Sequence, residues 1–202
     1  MRYSERHEEL ATAALATLNN ITFYREPPEP DPLEEPLDQL CIATCGWLRS
    51  VSNGTRSGAG CEAVRALGNL SRAHMLARRI VLEGAIDHLP AYLGHEDVSV
   101  RCAAAGVLVN VCGAGASRES AEATRVCAAA LSAAAADHDA HSAALLARAL
   151  WNAHSHTPLS AAQAHQATAA LALFIDDESV FAACEALRGG ERRASNPEIS
   201  RQ

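Results

Sequence analysis

Five histidines gather late in the chain, at His138, His141, His154, His156 and His165, with Asp137 and Asp139 beside the first of them. Their His-x-x-His and His-x-His spacings are those of zinc ligands, and a filled set would activate a water for metal-dependent hydrolysis. The pairs fall on different segments, however, and no cysteine completes either, so they read as polar residues of surface turns and no metal is assigned to them. The 7 cysteines contain no Cys-x-x-Cys pair. Cys41 and Cys45 stand one helical turn apart, where small buried thiols fill the slots that alanine fills elsewhere. Gly58-Ala59-Gly60 and Gly113-Ala114-Gly115 lack the lysine of a phosphate-cradling loop. No Ser-His-Asp or paired-carboxylate arrangement follows from the spacings. The sequence therefore assigns no catalytic residue and calls for no cofactor, and a non-enzymatic protein is expected.

The residues that recur with regularity are asparagines. Leu18-Asn19-Asn20-Ile21 returns as Leu67-Gly68-Asn69-Leu70, as Leu108-Val109-Asn110-Val111 and as Leu150-Trp151-Asn152-Ala153. The marker residues Asn20, Asn69, Asn110 and Asn152 are 49, 41 and 42 residues apart. A carboxamide offers a donor and an acceptor together, the pair that an extended ligand backbone requires. Near a helix C-terminus it also satisfies local carbonyls.

These markers need helices to carry them. Counting each asparagine as zero, position −6 holds Ala14, Ala63, Ala104 and Leu146; position −2 holds leucine four times; position +1 holds Ile21, Leu70, Val111 and Ala153. Steps of four and three place these on one helix face. Thr17, Ala66, Val107 and Ala149 at −3 widen it with small side chains. Between Asn69 and Asn110 the spacing predicts three helices: His74 to Leu82, Ala85 to Leu93 after a Glu83-Gly84 turn, and Val98 to Val111 capped by Asp97. Pro90 is expected to kink the second of these or to delay its start. A period near 42 with three helices per unit describes a helical solenoid, whose stacked units build a long surface.

Composition agrees. Of the 202 residues 49% are hydrophobic but only 4% aromatic, and alanine fills the difference. Alanine favours helices and lets their axes approach closely. A net charge of −7 argues against a general affinity for nucleic acid or anionic membrane. No apolar stretch is long enough to span a bilayer. The first residues are too charged to read as a secretory leader, so reduced thiols and a cytoplasmic setting are expected.

Glu83-Gly84-Ala85-Ile86, Leu89, Leu93, Asp97-Val98, Val100, Ala104 and Leu108-Val109-Asn110-Val111 resemble an armadillo repeat, with a departure at Asp87, where that family often has proline. The resemblance implies an all-α, right-handed armadillo-type solenoid of about four repeats, the first incomplete, acting as a protein-binding scaffold or adapter. Its third helices would line a concave groove, and the groove residues would be Arg65, Asn69, Asn110, Arg148 and Asn152. Nuclear-import receptors of this family carry tryptophan at −4 to pack lysine stems. Here that position holds Ala16, Arg65, Gly106 and Arg148, so basic localisation signals are not the expected ligand, and the two arginines suit acidic groups. Leu18-Asn19-Asn20-Ile21-Thr22-Phe23-Tyr24, residues 62–72, Gly106 to Asn110 and Leu150-Trp151-Asn152 are moreover similar, in order and spacing, to armadillo proteins of motile cilia. That likeness implies a role in building the axoneme of cilia or sperm flagella, such as delivery or docking of radial spokes, with axonemal or intraflagellar transport proteins as partners. A transport or signalling adapter unrelated to cilia is the alternative, and a hydrolase using the histidines is a third reading.

The solenoid is expected over residues 5–187. Residues 25–38, with five prolines and six acids, are expected to form an extended, solvated loop within it. Pro158 to Asp177 and Ser179 to Leu187 read as helices of an atypical last unit, and 188–202 as a polar, disordered tail with a kinase-like Arg192-Arg193-Ala194-Ser195. Glu5 to Phe23 supplies only a third helix, so the chain reads as a fragment that begins in mid-repeat. Such a fragment is expected to expose Leu10, Ala14 and Leu18.

Overall fold

The positions where each helix can start are set by short polar side chains. In a computed structural model, which describes residues 2–25, 32–51, 57–115 and 120–174, Ser57, Asp97 and Asp139 each accept a hydrogen bond from a main-chain N–H of the turn that follows. They open three helices that end on the markers: α3 (Gly58–Leu70), α6 (Val98–Gly113) and α8 (Ala140–His156). Together with α1 (Arg2–Phe23) these form one layer, each packed on the next. The other elements are α2 (Glu34–Val51), α4 (His74–Leu82), α5 (Pro90–Leu93), α7 (Ser120–Ala136) and α9 (Ala161–Ala172). In the second layer α2 meets the 3-10 turn Ala85–His88 ahead of α5, that turn and α5 meet α7, and α7 meets α9, while α4 bridges α2 and α6. No strand occurs among the described residues. The apolar core runs continuously between the layers.

The stripe expected at −6, −2 and +1 is buried throughout α3, α6 and α8. At −1, Gly68 of α3 faces Ala103 of α6, and a Cβ there would meet the Ala103 carbonyl oxygen at 3.4 Å, in ordinary van der Waals contact. α1 departs from the pattern. Leu15, Leu18 and Thr22 are buried, while Ala14 and Ile21 are exposed. The reason is that, among the described residues, α1 packs chiefly on α3 and turns a different face to it. Leu18 thus belongs to the core, against the expectation that it would be exposed, whereas Leu10 and Ala14 are exposed as expected.

Two further boundaries differ from expectation. The 25–38 segment is not loop throughout: α2 begins at Glu34, because Leu37, Cys41, Thr44, Cys45 and Leu48 recur at helical spacing and bury one face, with Glu34 and Glu35 favourably placed at its positive N-terminal end. Residues 26–31 lie outside the described residues. The second helix expected at Ala85 to Leu93 is split. Gly84 takes the left-handed conformation (φ 69°), a 3-10 turn follows, and Pro90, which has no N–H to donate, starts α5 afresh. Ile86, Leu89 and Tyr92 still reach the core. Of the helix expected over Pro158 to Asp177, Ala161–Ala172 is found as α9, opened by a Ser160–Gln163 capping box, and 175–177 lie outside the described residues. The helix expected at Ser179 to Leu187 and the tail at 188–202 lie outside the described residues.

Candidate functional site

Asn69, Asn110 and Asn152, three of the four marker asparagines, face neighbouring repeats, while Asn20 is exposed. The Asn69 side-chain amide donates to the Asn19 carbonyl (3.1 Å) and to Asn19 Oδ1 (2.8 Å). Asn152 donates to the Val109 carbonyl at 2.9 Å, and Asn110 to Ser71 Oγ at 2.9 Å. For Asn69 and Asn152 the acceptor is the residue just before the preceding marker. Each asparagine therefore ties the end of one third helix to the end of the one before it, a role that sequence spacing alone did not separate from ligand binding. Among the described residues nothing donates to Oδ1 of Asn69, Asn110 or Asn152, and all three side chains remain half-buried, so an acceptor stays available on each.

Arg65, expected to receive an acidic ligand, is occupied. Its guanidinium pairs with Glu62, with Asp97 Oδ2 (2.6 Å) and with Ser99 Oγ (3.2 and 2.8 Å). Arg101 repeats the device one unit on, donating to Asp139 Oδ2 (2.7 Å) and to the carbonyls of His95 and Glu96. Asp97 and Asp139 are the N-cap residues of α6 and α8 and occupy position −13 in both, so one carboxylate caps its own helix and anchors the arginine of the preceding third helix. The amide and hydroxyl of Ser99, with Arg65 and His95, hold the Asp97 carboxyl below its ordinary range against its loss of hydration. Loss of hydration is the largest influence on Asp139 and acts upward, but the Ser142 hydroxyl and amide and the Arg101 guanidinium together outweigh it, and its carboxyl too is held low. The chain has no lysine, so every side-chain cation other than histidine is a guanidinium suited to such forked pairing. Arg148 differs from Arg65: it is exposed and has no partner among the described residues.

What the third-helix layer offers between these staples is small and apolar. On α6, Ala103, Gly106 and Val109 are half-buried, and a Cβ built on Gly106 would meet no atom within 4 Å. On α8, Leu145, Arg148, Trp151 and Asn152 share the corresponding strip, with Trp151 half-buried. The sequence marks Gly106 only as the site of a missing tryptophan; its open surroundings depend on how α3, α6 and α8 stack. A separate concavity of about 480 Å³ lies between the 90–95 segment and α7, where the four-residue α5 leaves part of α7 uncovered.

The histidines do not converge: no group of three or more His, Cys, Asp or Glu side chains among the described residues is placed to hold a metal ion. His138 closes α7 in the left-handed conformation (φ 54°), and His154 accepts from the Leu159 amide. Cys41, Cys45, Cys61, Cys112 and Cys127 are buried, and Cys102 is half-buried. The Cys41 thiol is pushed up by its hydrogen bond with Cys45 and by burial, and the Cys127 thiol by burial and by its hydrogen bond with Cys112. Both therefore stay protonated at neutral pH and are poor nucleophiles. Cys61 Sγ lies 3.5 Å from His95 Nε2. The Asp97 amide donates to His95 Nδ1, which turns Nε2 of the ring toward the sulfur. No described helix is long and apolar enough to cross a membrane.

No family model matches the chain, and no curated protein sequence does. Solved structures do. An engineered protein, 21% identical, superposes over 89% of this chain and 74% of its own length with a TM-score of 0.66. A designed armadillo repeat protein, 18% identical, covers 85% and 71% with a TM-score of 0.62. The chain has an armadillo-type fold. A second designed armadillo repeat protein, 16% identical and solved in complex with the peptide (KR)4, covers 84% and 78% with a TM-score of 0.54. In armadillo terms α4, the 85–93 segment and α6 are the three helices of one complete repeat, while among the described residues α2 pairs with α3, α7 pairs with α8, and α1 corresponds to a third helix.

Proposed function

We propose that this armadillo-type solenoid is a non-enzymatic scaffold or adapter whose third-helix layer receives an extended segment of a partner protein. The observation that carries the reading is the open strip at Gly106, bordered by asparagines that each keep an acceptor for a ligand main-chain N–H. A structural neighbour solved with a peptide supports a peptide as the ligand class. Position −4 holds no tryptophan to pack a lysine stem, which argues against the basic signals that import receptors take.

Gly106→Gln tests this. The added side chain enters open space in the middle of a helix and replaces a poor helix former, so stability should rise by about 0.5–1 kcal/mol while the strip is blocked. Peptides selected on the parent protein from a displayed library should lose binding to this variant. Selected peptides that bind both proteins equally would remove the strip from the site.

The cellular setting is inferred from the four motifs that resemble the C-terminal half of armadillo repeat-containing protein 2: an adapter in axoneme assembly of motile cilia or flagella. Proximity labelling in ciliated cells should enrich axonemal or intraflagellar transport proteins. A labelled set without them would leave a transport or signalling adapter of the cytosol.

A further inference from the structure

We propose that the concavity between the 90–95 segment and α7 docks a short amphipathic helix of a partner protein, aliphatic on the face it buries and basic where it meets Asp137. The concavity belongs to the second layer, away from the marker asparagines, and its cause is the length of one element. α2 has 18 residues and α7 has 17. Between them stand only the 3-10 turn Ala85–His88 and α5 (Pro90–Leu93), of four residues each, joined by Leu89. Gly94-His95-Glu96-Asp97 then leads straight into α6, so no residue is left to lengthen this member of the layer. It is about two helical turns shorter than either neighbour.

The stretch of α7 left open is shaped for a helix. Ala129, Ala130, Ala133 and Ala134 form the floor, and Leu93 stands on the opposite wall. Ala129 and Ala133, one turn apart, are exposed. A ridge of alanines lets a second helix axis come close, and the space of about 480 Å³ receives the side chains of one face of that helix. The floor offers methyl groups, so the face it takes is aliphatic. The wall is held in place before anything binds. Arg101 donates to the carbonyls of His95 and Glu96 and to Asp139 Oδ2, and the Asp97 amide donates to His95 Nδ1 at 3.0 Å. A preformed wall spares the partner the cost of ordering it.

Charge decides what flanks the aliphatic face. At one end of the floor Arg125 is already paired with Glu122, and on the far wall Arg101 is paired with Asp139. Asp137, at the other end, is exposed and has no ion pair among the described residues. It follows the last turn of α7, where the negative end of the helix dipole adds to its charge. The open end of the concavity is therefore negative. The chain as a whole carries −7, which draws a cationic partner.

A surface helix randomised on a small helical-bundle scaffold and displayed as a library tests this, with the 202-residue chain as bait. Helices selected on the parent should carry aliphatic residues at i, i+4 and i+7, with lysine or arginine at one end of that row. Ala133→Arg fills the floor from an exposed helical position with a good helix former, so circular dichroism and the denaturation midpoint should match the parent. Selected helices should bind it at least about tenfold more weakly. Asp137→Arg should weaken them about tenfold, and changing the selected base to glutamate should restore binding to that variant. Gly106→Gln should bind the helices like the parent, and Ala133→Arg should bind peptides of the Gly106 strip like the parent, so failure of one reading is seen apart from failure of the other. A library that yields no binder, binders that hold Ala133→Arg as tightly as the parent, or a charge swap that restores nothing would overturn the proposal.

Discussion

Asn69 on α3 gives its side-chain amide to both oxygens of Asn19 on α1, the main-chain carbonyl at 3.1 Å and the carboxamide at 2.8 Å. A residue type that marks ligand grooves in armadillo proteins is here part of the joint between repeats. Asn69→Ala should therefore destabilise the free protein, by about 1–2 kcal/mol for a half-buried hydrogen-bonded amide. Asn20 occupies the same place in the motif but is exposed, and Asn20→Ala should change stability by less than about 0.5 kcal/mol. Urea denaturation of dilute, monomeric samples separates the two. Equal stability of both variants would mean that Asn69 serves only ligands.

The capping aspartates make the repeat joints sensitive to acid. Asp97 is held low by Ser99, Arg65 and His95, and Asp139 by Ser142 and Arg101 against the effect of its burial. A carboxyl whose folded value lies below its unfolded one contributes stability above the unfolded value and loses it as pH falls through the folded one. The denaturation midpoint should therefore be flat near neutrality and fall below the ordinary carboxylate range, near about pH 4. Asp139→Asn keeps an N-cap but removes the charge facing Arg101. It should lower stability at pH 7 and flatten the acid limb. An acid limb identical to the parent's would show that Asp139 does not contribute to it.

Much of this architecture is legible in one dimension, and the reasons for the rest are physical. His74 to Leu82, the Gly84 turn and the Asp97 cap follow from local chemistry and are found at those residues. The core stripe in α3, α6 and α8 follows from helical spacing. The rotation of α1 does not, because which face is buried depends on how α1 meets α3, its main neighbour among the described residues. Nor do the uses of Arg65 and Arg148, which share position −4: one meets Asp97 and Ser99 of the next helix, while the other has no next helix among the described residues. The Asp at −13, common to α6 and α8, is the signal by which the arginine staples could have been read from sequence.

His138 reports on strain. It sits at φ 54° in the turn after α7, where the Asp139 amide reaches back to the Ala134 carbonyl and the His138 amide to that of Ala135, the pattern of a left-handed helix C-cap. A side chain with a Cβ pays for that conformation roughly 1 kcal/mol that glycine does not. His138→Gly should raise stability by about 0.5–1 kcal/mol, read as a higher midpoint in thermal denaturation. An unchanged or lower midpoint would mean that the imidazole makes a compensating contact.

Gly60 and Tyr92 provide a test of how α3 meets α5. The Tyr92 side chain is 1% exposed, and its hydroxyl has no hydrogen-bond partner among the described residues. That hydroxyl lies 2.3 Å from where a Cβ on Gly60 would be. Tyr92→Phe deletes a buried polar atom that gains nothing in return, and should stabilise the protein by about 1 kcal/mol. Gly60→Ala gains helix propensity but drives a methyl into the hydroxyl, and overpacking of this kind costs about 1–3 kcal/mol. In the double variant the nearest ring atom becomes Cζ at 3.2 Å, a contact relieved by a shift of a few tenths of an ångström. The two changes should therefore couple: Gly60→Ala should cost at least about 1 kcal/mol less in the Tyr92→Phe background than in the parent. Denaturation of the four proteins of the cycle measures that difference directly, and simple additivity would show that the hydroxyl does not occupy the space above Gly60.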